Sequence, residues 1–199
     1  MRKKEGLGKF LVVRRPRIKA AEGEDGLYHC IDRIVGGEYL LGEVEKEMFV
    51  RIMWDVAAFL SVDILDYCVL DTHGHKLVFT PGRVELSDEE LLGRLRAYYG
   101  ERSSEARSFA KAMRYRGSHY EELRAGYMRR MGDISEFEKS HKQKFSNWYN
   151  GRHERVGTLW VGRFESLFSE DVKTVRQALG AYIDLSLYRK LGDTLGLRC

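Results

Sequence analysis

The amino-acid sequence predicts a mixed α/β domain of the α+β kind, on three observations. Short apolar runs with strand-like alternation occur at 27–34, 62–70 and 73–80. Residues 43–60 instead repeat their apolar positions at helical spacing: Val44, Met48, Ile52, Val56 and Phe59. Two four-residue patterns, Ser87-Asp-Glu-Glu90 and Asp133-Ile-Ser-Glu136, have the form of helix-starting capping boxes. With 199 residues, 43% of them apolar, the chain is long enough to bury one sizeable core.

The first twenty residues hold Arg2, Lys3, Lys4, Lys9, Arg14, Arg15, Arg17 and Lys19 against Glu5 alone, a net +7. The whole chain is +4, so the remainder carries −3. The organisation expected is therefore a basic arm over 1–22 and a domain over 23–199. Such an arm can neutralise phosphates, or it can be a solubilising tail. No continuous apolar core follows it, so a secretory signal is not expected. No stretch is apolar for long enough to span a bilayer, and neither repeats nor low-complexity tracts occur. Cys30, Cys68 and Cys199 lack the spacing of a metal knuckle, which points to a reducing interior without disulfides.

Leu27 to Ile34 opens the domain as a strand, and His29 is read there as a strand residue and not as a ligand. Gly36-Gly37 punctuates the chain before the helix over 43–60, whose early Glu43, Glu45 and Glu47 suit the positive helix end. The strand over 62–70 follows. Asp71-Thr72 then makes a turn into the strand over 73–80, which Pro81-Gly82 closes. His73 and His75 lie one residue apart, so in a strand both imidazoles point to one face and can meet one metal ion. Gly74 leaves the opposite face open to close packing. Two ligands alone do not complete a site.

Leu91, Leu92, Leu95 and Tyr98 mark the helix behind the first capping box, and Gly100 to Ser104 reads as a linker. Residues 107–131 carry seven basic side chains with Tyr115, Tyr120 and Tyr127 among them. That mixture suits unstacked bases and phosphates, and equally a solvated helix whose tyrosines pack inward. Behind Asp133, Phe137, His141, Phe145 and Trp148 form an aromatic stripe expected in the core, with His141 a packed histidine. Lys142, Lys144, Arg152, Arg155 and Arg163 are candidates for phosphate contact, as are Arg14, Arg15 and Arg17 of the arm. Gly157 to Phe164 reads as a Gly-punctuated loop and short extended segment. Asp171 can cap a last helix through Val175, Leu179, Tyr182, Ile183 and Ser186, with Tyr182 and Ser186 on one face.

Three stretches, in order, resemble the REP-associated branch of the single-tyrosine transposases in the HUH superfamily. They are Tyr67-Cys-Val-Leu-Asp-Thr-His73-Gly-His75-Lys-Leu-Val, the block from Lys142 through His153 to Arg163-Phe-Glu-Ser, and Ala181-Tyr182-Ile-Asp-Leu185. The resemblance runs from about Leu27 to Leu185. It implies a ferredoxin-like antiparallel sheet with the histidine strand at its centre. It implies single-stranded or hairpin DNA as substrate, cleaved and rejoined through a 5′-phosphotyrosine on Tyr182. It also implies a divalent ion, Mg²⁺ or Mn²⁺, on His73 and His75, and a monomer or homodimer in the bacterial cytoplasm, associated with the nucleoid and not with a membrane. One departure is specific. Where the resemblance expects an asparagine as third metal ligand, this chain has Ser186, and the sequence to Cys199 lacks the usual continuation. The carboxy-terminal end is therefore expected to be truncated or divergent, and the alternative function is a remnant that binds such DNA without cutting it.

Overall fold

The structure is a computed structural model that describes residues 19–162 and the backbone of a strand at Glu165–Ser169. Arg14, Arg15 and Arg17, Arg163, Tyr182, Ser186 and the expected last helix lie outside the described residues.

Strand β1 (Gly26–Arg33) leads through a short turn to helix α1 (Glu43–Leu60), then to β2 (Asp63–Val69) and β3 (His73–Thr80). Helices α2 (Asp88–Tyr99), α3 (Ser104–Tyr115), α4 (Ser118–Met128) and α5 (Ile134–Arg152) follow, and β4 (Glu165–Ser169) completes the sheet. Every neighbouring pair is antiparallel, in the order β2-β3-β1-β4. With α1 crossing from β1 to β2 and α5 preceding β4, this is the expected ferredoxin-like connectivity, with β1 and β3 in the middle. Among the described residues, α2, α3 and α4 are additional to that plan.

Local signals set most boundaries. Ser87 caps α2 by accepting from the backbone N–H of Glu90, whose carboxylate accepts in return from the Ser87 N–H. Asp133 caps α5 by accepting from the N–H groups of Ser135 and Glu136. The basic stretch over 107–131 is divided into two helices at Arg116, which takes a left-handed conformation (φ 41°), and Gly117. Extended structure after the Gly157 loop falls at 165–169, beyond the segment predicted for it, where a single bridge joins Ile34 to Trp160.

The helices cover one face of the sheet. Phe49, Met53, Val56 and Leu60 of α1 meet Phe137 and Phe145 of α5 over Tyr28, Cys30 and Val78. The predicted aromatic stripe is core: Phe137, His141 and Phe145 are fully buried, and Tyr149 takes the next turn while Trp148 is only partly covered. Gly74 is needed for this closeness, because a Cβ there would stand 2.9 Å from Cζ of Phe49. On the opposite face Leu27, Leu77 and Phe79 form a second, smaller apolar cluster. Cys30 and Cys68 are buried free thiols. Among the described residues no helix is long and apolar enough to cross a membrane.

Candidate functional site

Alternation along β3 sends consecutive residues to different environments. Gly74, Lys76 and Val78 point toward the helices, while His73, His75, Leu77 and Phe79 share the other face. The expected coplacement of His73 and His75 is therefore present, with ring centroids 5.0 Å apart at 73°. Burial lowers the pKa of both, aided by the positive charge of Arg33, and His75 falls to about 4. Both rings are thus neutral at neutral pH, the form that offers a lone pair to a metal. Nδ1 of His73 lies 2.8 Å from the Thr72 hydroxyl.

A third histidine belongs to this face. His29 on β1 stands two residues before Ile31, which pairs with His75, so the two imidazoles are diagonal neighbours. His29 Nε2 lies 3.0 Å from His75 Nδ1. Burial lowers the pKa of His29 as well. Sequence pattern alone makes His29 an ordinary strand residue; its place beside His75 follows only once the register of β1 on β3 is known.

Behind the same strand lies a buried ion cluster. The Lys76 ammonium donates to Asp32 Oδ2 at 2.6 Å and stands 2.7 Å from Glu138 Oε1, with all three side chains fully buried. His141 Nδ1 is 3.2 Å from the same nitrogen. An ammonium can only donate, so this Nδ1 accepts, and the proton sits on Nε2, which donates to the Phe49 carbonyl at 3.1 Å. Burial and the nearby Lys76 accordingly push His141 down to about 3. Burial raises the Asp32 carboxyl, but Lys76 and Lys142 outweigh it and the net shift is downward. Burial and the Asp32 charge push Glu138 up to about 7.

Asp32, Glu138 and His141 bring ligand atoms within 4.8 Å of one another, a spacing that could hold an ion. Lys76 already supplies the positive charge at their centre, and the rings of Phe49 and Phe137 lie 5.7 Å and 5.3 Å from its nitrogen. A metal there would have to displace a buried ammonium, so the donor set fits Lys76 and not a resident ion. The two neutral imidazoles on the opposite face, by contrast, fit a divalent ion as partial ligands.

The remaining described candidates do not converge on the histidines. Lys142 lies 3.5 Å from Asp32 Oδ1, donates to the Gly162 carbonyl and covers the Trp160 ring. Lys144 donates to the Tyr98 carbonyl with its nitrogen 3.5 Å from that ring's centroid. Arg152 is exposed and stands 3.7 Å from Glu45, and Arg155 donates to the Thr158 carbonyl. The basic, tyrosine-bearing helices are packed in part: Tyr120 is buried and donates to Asp88, which also pairs with Arg116 and Arg124.

No protein-family model matches the chain, and neither does any curated protein. Two solved structures are similar in fold. One is a REP-associated tyrosine transposase bound to a REP hairpin, at 13% identity and a TM-score of 0.50, over 83% of this chain and 68% of that one. The other is described as the "crystal structure of a putative transposase from Deinococcus radiodurans R1", at 14% identity and a TM-score of 0.39, over 86% of this chain and 95% of that one. The first likeness bears out the fold that the sequence resemblance implies. The second is too weak to carry an argument.

Proposed function

We propose that the chain is a transposase-like DNA-processing protein that binds single-stranded or hairpin DNA and cuts and rejoins it through Tyr182. The observation that carries this reading is the pair of neutral imidazoles, His73 and His75, on one face of the central strand of a ferredoxin-like sheet. His73 and His75 would hold Mg²⁺ or Mn²⁺, with Ser186 a further candidate ligand, and the ion would polarise the scissile phosphate and stabilise the departing 3′-oxygen. Tyr182 supplies the nucleophile. Its phenol oxygen forms a bond to phosphorus, the bond to the 3′-oxygen breaks, the phenol proton passes to a base and the 3′-oxygen takes one up. The 5′-phosphotyrosine so formed keeps the exchange reversible, which permits rejoining. Arg14, Arg15, Arg17, Lys142, Lys144, Arg152, Arg155 and Arg163 are the proposed phosphate contacts, and the DNA would be met in the bacterial cytoplasm.

Ser186 favours a second reading, a hairpin-binding protein that does not cut. A serine hydroxyl is shorter and a weaker ligand than the amide carbonyl expected at that place. The deciding experiment is incubation with labelled single-stranded hairpin DNA and Mn²⁺, followed by denaturing electrophoresis and peptide mapping of any adduct. The catalytic reading expects nucleotide on Tyr182, loss of the adduct in Tyr182→Phe and in His73→Ala with His75→Ala, and faster cleavage in Ser186→Asn. Tight binding without an adduct in both wild type and Ser186→Asn selects the binding protein. Nucleotide on another residue, such as Tyr188, the tyrosine six positions after Tyr182 in the sequence, refutes the assignment of the nucleophile.

A further inference from the structure

His29 and His75 meet nitrogen to nitrogen. Their rings are close to coplanar, at 16°, with centroids 5.2 Å apart and His29 Nε2 3.0 Å from His75 Nδ1. Each imidazole centroid lies about an ångström behind its nitrogens, so that centroid distance requires the rings to face each other edge to edge along the N···N line. This is hydrogen-bond geometry and not face-to-face stacking. One ring donates and the other accepts.

The neighbouring histidine shows which arrangement fits the site. His73 also directs Nδ1 at a protein partner, the Thr72 hydroxyl at 2.8 Å. In both rings a proton on Nδ1 keeps the lone pair on Nε2, as a metal-binding histidine held by an outer partner requires. We propose that His29 is the positioning residue for His75, accepting the Nδ1–H of His75 on its own Nε2 and so fixing the tautomer and ring plane in which His75 Nε2 binds the ion. This rests on the reading of His73 and His75 as metal ligands. A role for His29 as third ligand is not supported. Among the described residues the group of three potential ligands within 4.8 Å is Asp32, Glu138 and His141, on the other face. A purely packing role would be met by any ring or branched side chain and would not need the two nitrogens aligned.

The test uses the full chain with Mn²⁺ as probe, its affinity read by paramagnetic resonance, and the tautomer of His75 read by long-range proton–nitrogen NMR without metal. Wild type should show His75 protonated on Nδ1. His29→Ala should mix the tautomers and weaken Mn²⁺ binding by about ten- to a hundredfold. His29→Gln, whose side-chain carbonyl can accept the same proton, should restore affinity to within a few-fold of wild type. Protonation of wild-type His75 on Nε2 would overturn the proposal, as would unchanged affinity in His29→Ala. A folded His29→Gln as weak as His29→Ala would reduce His29 to packing. If His29→Ala does not fold, the wild-type tautomer and the Gln variant still decide. Equal Mn²⁺ binding by wild type and His75→Ala would overturn the metal reading itself, an outcome distinct from the others because it needs no change at His29.

Discussion

Lys76 carries its charge at full burial because two carboxylates and a neutral imidazole surround it. Removing one partner of such a group strands the others, at a cost of about 3–5 kcal/mol, whereas the intact cluster adds little net stability. Lys76→Met should therefore lower the urea midpoint steeply. Replacing Asp32, Lys76 and Glu138 together by apolar residues should cost less than that single change, and the same midpoint measurement checks both. The cluster also gives stability a pH dependence with two opposed limbs. Glu138, pushed to about 7 from an ordinary 4.5, binds its proton more tightly when folded. Its contribution is complete below the unfolded value and is lost as pH rises through 7. His141, depressed to about 3 from 6.5, works the other way, and its contribution is lost as pH falls below 6.5. Glu138→Gln should remove the first limb. Between pH 6.5 and 4.5 the variant's stability should then fall more steeply than the wild type's in urea titrations at stepped pH. Parallel curves would show that Glu138 does not take up a proton in this range. None of this is legible in the sequence. Alternation puts Lys76 on the Gly74 face of the strand, but nothing local marks its ammonium for burial, which depends on Asp32 and Glu138, 44 and 62 positions away.

Strand and helix boundaries are the most legible features, because their signals are local. The alternation over 73–80, the capping box at Ser87 and the helical spacing over 43–60 are set by neighbours within one turn or one strand. The break at Arg116 has only Gly117 as a local signal, and a lone glycine in a basic, tyrosine-bearing stretch does not by itself distinguish one helix from two; the left-handed conformation of Arg116 ends α3. The strand Glu165–Ser169 lies later than the sequence pattern suggests, as its pairing with β1 is a long-range decision. The candidate site divides the same way. The shared face of His73 and His75 follows from their spacing, but the approach of His29 needs the inter-strand register. Where α1 crosses β3, Gly74 permits the Phe49 ring to rest on the strand. Phe49 is held by His141, Phe145 and Trp160, so it cannot swing away from an added methyl group. Gly74→Ala should cost about 1–3 kcal/mol by overpacking. Trimming the ring in Gly74→Ala with Phe49→Leu should recover part of that loss in thermal or urea unfolding. Full stability of the single variant would mean that the helix and strand can separate at this crossing.

At the scale of the molecule, the sheet separates two kinds of charge management. The helix side neutralises Lys76 internally, and the histidine side holds rings kept neutral by burial. Neither is a source of long-range attraction for DNA. The positive charge is concentrated at the amino terminus, where residues 1–20 carry +7 against −3 for the rest. If the chain binds single-stranded hairpins, the arm should supply much of the salt-dependent part of the affinity. Deleting residues 2–18 removes seven basic side chains and Glu5 while retaining Lys19, whose ammonium pairs with Asp133 at the start of α5 at 2.7 Å. The truncation should thus leave the cap of α5 intact. For each phosphate that the arm no longer neutralises, the slope of log affinity against log salt should fall by about 0.7 on single strands, or about 0.9 on the duplex stem. Binding of a labelled hairpin across a salt series measures that slope directly. A slope reduced by the equivalent of several phosphates, with affinity weakened about equally for hairpins of different sequence, would mark the arm as a phosphate-binding element. An unchanged slope in a truncated protein of normal stability would make the arm a passive tail and shift the binding energy to the basic residues of the folded domain.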